Sequence, residues 1–192
     1  MYKILLLVSV LMVSNLTGSK IRLNNPSFED IPQDATPPRG WDACGKYSTP
    51  DILPGAWGVE MKAAHGKSFV GLIVRNDNTW EYLGQTLQQP LLPKTCYQFS
   101  LSLAKAIGYS GHSLPVRIRI WGSDSKCGKN ELLGVTTSIN HTVWKKYDFI
   151  FSPKKTVKYI SIEAYYVGGK PYKGNVLIDN CSSFDTCVRA QR

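Results

Sequence analysis

Seven short stretches of this chain either alternate apolar and polar residues or run almost wholly apolar: "SFVGLIV" (68–74), "WEYLGQTL" (80–87), "CYQFSLSLA" (96–104), "VRIRIWG" (116–122), "WKKYDFIF" (144–151), "KYISIEAYY" (158–166) and "NVLIDNCS" (175–182). All are rich in β-branched and aromatic residues, and clusters of Gly, Pro, Asn or Ser separate them, so each is predicted to be a strand. No stretch repeats its apolar residues at helical spacing. The pattern predicts an all-β chain, folded as a two-sheet antiparallel β-sandwich of jelly-roll type, with the proline-rich segment 31–58 covering one edge.

The period of two sorts the faces. In 96–104, Tyr97, Phe99, Leu101 and Leu103 share the core side, and Gln98, Ser100 and Ser102 turn away. Burying Val116, Ile118 and Ile120 sends Arg117, Arg119 and Trp121 outward together. Burying Ile160 and Ile162 leaves Tyr159, Ser161, Glu163 and Tyr165 exposed on the other side of their strand. At the start, Ser27-Phe28-Glu29 alternates as a strand would, with Phe28 inward and Glu29 outward.

An exposed sheet face carrying Arg, Trp, Tyr and Glu suits a sugar. Pyranose C–H faces stack on aromatic rings, and hydroxyls take hydrogen bonds from guanidinium and carboxylate groups. The expected ligand residues are Arg117, Arg119, Trp121, Glu163 and Tyr165, rimmed by Trp80 and Arg75 from "VRNDNTWE". A plainer alternative is that such residues decorate sheets through high β-propensity and long stems that cover apolar surface.

Met1 to Ser19 reads as a secretory signal peptide: one lysine, an apolar run from Ile4 to Val13, then small polar residues, too short to span a bilayer. The expected organisation is a leader over 1–19, one domain over 20–185 and a tail over 186–192. About 170 residues beyond the leader suffice for one sizeable core. Net charge is +9 over 192 residues, which suits an acidic glycan, a lipid headgroup layer or nucleic acid. The basic residues are scattered, however, and export argues against nucleic acid.

Catalytic patterns are sparse. "HGKS" (65–68) ends like a phosphate-binding loop, but Met61 stands where that loop needs glycine, so it reads as a turn. Metalloprotease, serine-hydrolase and paired Cys-x-x-Cys patterns are missing from the sequence. His65, His112 and His141 stand alone, and residue type alone supports a Cys44–His65 nucleophile pair. Five cysteines in an exported chain imply disulfides with one left over. A hairpin of 96–104 with 116–122, turning near Gly111, would set Cys96 opposite Cys127. That is the expected bond; Cys181 and Cys187 are close enough in sequence to close a small tail loop, which leaves Cys44 free or available to another chain.

"LNNPSFED", "GKSFVGL", "LQQPLLPKTCYQFSLSLA" and "GNVLIDNCS", in that order, resemble the galactose-binding-like jelly rolls of carbohydrate-binding modules. "PPRGWDACG", "VRNDNTWE" and "YKGNVLIDN" more narrowly resemble exported proteins and cell-surface domains of Bacteroidetes. The resemblance implies a structural Ca²⁺ shared by Glu29 and Asp179, with backbone carbonyls such as those of Asn25 and Lys67, and hard oxygen ligands suit that ion. It also offers a competing loop site around Trp41, Trp57 and Trp80. The implied function is a secreted, periplasmic or cell-surface carbohydrate-binding or adhesion module without catalysis. Its rivals are a small glycan lyase or hydrolase, with Glu163 or Glu81 as acid and Tyr165 as base, and a surface protein that binds another protein.

Overall fold

The computed structural model describes residues 20–187, so the expected leader and the last five residues lie outside the described residues. Within them all regular structure is strand. In chain order the strands are β1 (Lys20–Ile21), β2 (Asp42–Cys44), β3 (Asp51–Leu53), β4 (Phe69–Val74), β5 (Tyr82–Leu91), β6 (Tyr97–Ala104), β7 (Leu114–Pro115), β8 (Arg117–Ser123), β9 (Glu131–Val135), β10 (Lys145–Phe151), β11 (Val157–Tyr165), β12 (Gly174–Asp179) and β13 (Phe184–Thr186). The seven stretches singled out in the sequence are β4, β5, β6, β8, β10, β11 and β12. The β-sandwich is borne out.

One sheet runs β1-β13-β6-β12-β4-β3, with β10 along the other side of β6 and β7 beside β12; the second runs β2-β5-β11-β8-β9. Every pairing is antiparallel except β7 with β12. Val70, Leu72, Leu101, Leu103, Val176 and Ile178 of the larger sheet pack with Leu83, Leu87, Ile118, Ile120, Ile160 and Ile162 of the smaller in one core. The segment 31–58 does more than cover an edge, because it supplies β2 to one sheet and β3 to the other. A second cluster of Leu53, Val59, Phe69, Ile73, Ala104, Ala106, Tyr109 and Leu177 lies on the far side of the larger sheet. That is why β4 and β12 are buried at every position.

Residues 24–30 are a turn rather than the expected strand opening. Asn25 accepts the Phe28 N–H on its carbonyl (3.1 Å) and the Glu29 N–H on its side chain (2.7 Å). Asn25 and Phe28 take the left-handed backbone that this closure needs, at φ 45° and 54°. The burial expectation holds: Phe28 is fully buried and packs on Trp41 with ring centroids 4.8 Å apart.

The expected Cys96–Cys127 bond is wrong. Cys44 bonds Cys127 and Cys96 bonds Cys187, with Cα atoms 5.4 and 5.3 Å apart. The error is topological, since β6 and β8 belong to opposite sheets and the chain between them crosses the sandwich instead of turning a hairpin. Cys96 immediately precedes the end of β6 with which β13 pairs, and Cys187 donates its N–H to the Cys96 carbonyl at 2.9 Å. The strand pairing and disulfide thus carry past residue 185 to Cys187. Cys44 is therefore not free, and Cys181, expected to bond Cys187, is the buried thiol left over.

Candidate functional site

The outward face of β8 and β11 assembles as its alternation predicts. Antiparallel register sets Arg119 beside Glu163, Arg117 beside Tyr165 and Trp121 beside Ser161. On the other side β5 sets Tyr82 beside Glu163. The two strips, which sequence alone left unconnected, are adjacent. Their exposure differs from expectation, however: Tyr159, Ser161 and Glu163 are buried. Tyr159 is covered by a disulfide at the sheet edge, and Glu163 by the side chains of Trp80, Trp121, Arg119 and Lys129. Cys127 is bonded to Cys44 at the sheet edge, and both sulfurs lie within 3.5 Å of the Tyr159 hydroxyl.

Glu163 organises what remains accessible. Its Oε1 accepts the Trp80 indole N–H at 2.6 Å and a Lys129 ammonium N–H at 2.5 Å. Its Oε2 accepts the Trp121 indole N–H at 2.7 Å. Arg119 Nε stands 2.7 Å from Oε2, off the line of a hydrogen bond, so this contact is an ion pair. The cations also cover rings: the Arg119 guanidinium carbon lies 3.2 Å from the Tyr165 centroid, and Lys129 Nζ 3.7 Å from that of Tyr82. The carboxylate is fully buried, while Trp80, Tyr82, Trp121, Arg119, Lys129 and Tyr165 are half-buried. One hidden anion therefore holds two indoles and two cations in a single arrangement. With both oxygens so engaged, Glu163 is poorly placed as the acid of a glycan-cleaving pair.

Two expected members stand apart. Arg117 donates to the Val167 carbonyl, which keeps it at the patch margin. Arg75 is turned to Glu81, its Nη2 2.5 Å from Oε1, and lies outside the patch. Glu81 is buried and also accepts from Thr49 and Ile73; burial pushes its carboxyl up to about 7 against the pull of Arg75. The three tryptophans of the competing loop site do not converge. Trp41 is core, Trp80 belongs to the Glu163 patch, and only Trp57 lines a loop cavity. Sequence reasoning missed Tyr82 and Lys129. Tyr82 was readable, since alternation in "WEYL" puts it on the side of Trp80; Lys129 lies in a turn with no period to read.

Glu29 and Asp179 meet around the 64–68 turn. Glu29 accepts the Lys67 and Ser68 N–H groups (2.9 and 3.3 Å), and Asp179 accepts the His65 and Asn180 N–H groups (2.8 and 2.6 Å). A side chain at Gly66 would bring its Cβ within 2.0 Å of Glu29 Oε1, so the cradle requires glycine. Burial, with the Glu29 charge adding, pushes Asp179 up to about 6. Both carboxylates are thus met by backbone N–H donors, and among the described residues no group of three or more His, Cys, Asp or Glu side chains gathers to hold a metal ion. The Asn25 carbonyl, expected as a ligand, already accepts the Phe28 N–H and the Trp41 indole N–H.

No family model and no curated protein sequence matches the chain. Solved structures do. A cyclase from Fischerella sp. TAU superposes with a TM-score of 0.60 at 16% identity, covering 92% of this chain and 100% of that one. The CBM22-1 xylan-binding domain of Paenibacillus barcinonensis gives 0.55 at 16%, covering 90% and 97%. The K3 cleaved adhesin domain of Lys-gingipain from Porphyromonas gingivalis gives 0.55 at 13%, covering 88% and 98%. At these identities the likeness is one of fold, and the fold is a β-sandwich shared by binding modules, adhesins and an enzyme.

Proposed function

We propose that the protein is a secreted or cell-surface carbohydrate-binding module without catalytic activity, whose ligand lies on the outer face of the smaller sheet. The observation that carries this is the Glu163 anchor: a buried carboxylate fixes Trp80 and Trp121 by their indole N–H groups, so aromatic platforms are ordered before a ligand arrives. Sugar rings stack on such platforms, and Arg119, Lys129 and Arg117 surround them with more positive charge than Glu163 balances. The reading is therefore of a glycan bearing carboxylate or sulfate groups. Two disulfides suit an oxidising compartment. In the same reading Glu29 and Asp179, with the Lys67 carbonyl, hold a structural Ca²⁺ that joins the two ends of the fold.

A glycan array of neutral and acidic oligosaccharides, followed by calorimetry, tests the proposal. Acidic glycans are expected to be retained, and Trp121→Ala to weaken them roughly ten- to hundredfold through loss of a stacking surface. Retention of no glycan by the folded chain would overturn the reading and leave the face as a protein contact. Full affinity in Trp121→Ala would move the ligand elsewhere.

A further inference from the structure

The edge strand beside the Glu163 patch is unusually apolar. β9 closes the smaller sheet beyond β8 and pairs with no other strand of it, a position that proteins ordinarily blunt with charged side chains. Here Leu132 and Val135 stand 46% and 49% exposed. In register Leu132 lies beside Trp121 and Val135 beside Arg119, and facing residues of antiparallel strands point to the same side about 5 Å apart. Both aliphatic side chains therefore extend the face that carries the patch.

A bulge puts them there. Residues 132 and 135 are three apart, and in an unbroken strand of period two they would point to opposite faces. The register passes from Ile120 with Gly134 to Trp121 with Leu132, so β9 carries one extra residue, Leu133, against β8. Leu133 is buried in the core, and a Cβ at Gly134 would meet the Phe149 ring at 2.5 Å. Two consecutive residues thus face inward, and Leu132 and Val135 flank them on the outside. Bulges at sheet edges re-aim side chains in this way, and they are over-represented next to functional sites. One exposed aliphatic residue needs no explanation. Two brought together beside a half-buried indole form an apolar strip continuous with it.

Given the sheet-face site for acidic glycans, on which this step rests, we infer that the strip receives acetyl groups, so that the ligand is an acidic glycan that is also acetylated. Neighbouring strands lie about 4.8 Å apart. A sugar ring stacked on Trp121, with its acid toward Arg119 and Lys129, therefore has ring substituents within reach of β9. An acetyl ester ends in a methyl group that Leu132 and Val135 take out of water, and it brings no charge to compete for the two cations. A free hydroxyl at the same place finds no hydrogen-bond partner in two aliphatic side chains. The strip is two side chains long, which covers an acetyl group and offers a longer acyl chain little more.

Alginate, polygalacturonate and dextran sulfate, each with and without chemical O-acetylation, give matched probes that keep their acid groups, and calorimetry on the folded chain reads both forms. At least one polymer is expected to bind about four- to fifteenfold more tightly when acetylated, as burying one or two methyl groups would give. That ratio should persist as ionic strength rises, although both affinities fall. Changing Leu132→Thr and Val135→Thr together keeps strand-forming side chains at two half-exposed positions and should bring the ratio to about one, whereas Trp121→Ala should weaken both forms. Equal affinity for acetylated and plain polymers in the wild type, or an unchanged ratio in the double variant, would overturn the acetyl assignment while the sheet-face site stands. Binding of no polymer in either form would overturn both. A dimer in solution that the double variant dissolves would give the strip to a second copy of the chain, and the acetyl assignment would fall with it.

Discussion

Glu163 and Glu81 are both fully buried carboxylates, each paired with an arginine and supplied with further donors, yet they have different consequences. Around Glu163 the donors are side chains on a surface, so the carboxylate acts as a scaffold for rings. Glu163→Gln replaces an acceptor oxygen with a donor facing an indole and a cation. It should cost about 1–3 kcal/mol in chemical denaturation and shift the indole N–H resonances of Trp80 and Trp121. Unmoved indole resonances would show that the anchor is not what fixes them. Around Glu81 burial dominates and raises the carboxyl from 4.5 to about 7. The folded protein then holds a proton that the unfolded chain has released, so this contribution to stability is fully present below about pH 4.5 and is lost as pH rises through about 7. The melting temperature should therefore be higher at pH 5 than at pH 7.5, and Glu81→Gln should reduce that difference, leaving the share due to Asp179, whose carboxyl burial raises to about 6. Equal slopes in the two proteins would assign it to other groups.

Among the elements, β8 and the segment that follows it show how a disulfide can shape a face rather than only secure a core. The Cys44–Cys127 bond links edge strand β2 to the turn after β8, supported by an ion pair between Lys126 and Asp42 at 2.6 Å. Lys129 lies two residues beyond Cys127 and thereby reaches Glu163. Replacing Cys44 and Cys127 together by alanine opens a loop of 83 residues, worth about 4.5 kcal/mol in the chain-entropy model. A fall in melting temperature of roughly 10–15 °C is expected, with loss of the Lys129 contact read as changed Tyr82 and Trp80 resonances. Retention of those resonances would mean that the turn holds itself.

At the scale of the molecule, the first and last described segments share one turn. Glu29 grips the 67–68 amides, Asp179 the His65 amide, and the Cys181 N–H donates to the Pro26 carbonyl at 2.8 Å. If Ca²⁺ lies between the two carboxylates, a chelator should lower the melting temperature of the wild type, and Asp179→Asn should remove that sensitivity. Identical melting curves with and without chelator would leave the backbone N–H groups as the whole of the tie.

Period-two alternation, read without any tertiary information, was enough to find the seven principal strands and to separate Ile118 and Ile120 from Arg117, Arg119 and Trp121. Side-chain period and β-propensity are local properties, and here the fold agrees with them. The burial of Phe28 was legible only from its apolar side chain, because the strand alternation invoked for it belongs to a segment that folds as a turn. Burial of β4 and β12 on both faces, the crossing between β6 and β8, the cysteine pairs and the covering of Glu163 were not, because each depends on which distant segment arrives at a strand. Alternation says which way a residue points but not what comes to meet it. Asn25 could be read as turn-prone, and it closes 24–30 through local bonds to Phe28 and Glu29, but the Trp41 indole and the Arg39 carbonyl that also reach it were not legible. Tertiary structure alone decided that Trp41, Trp57 and Trp80 serve three different environments, and that Asp51, Tyr109, His112 and Glu81, spread over sixty residues, enclose one cavity.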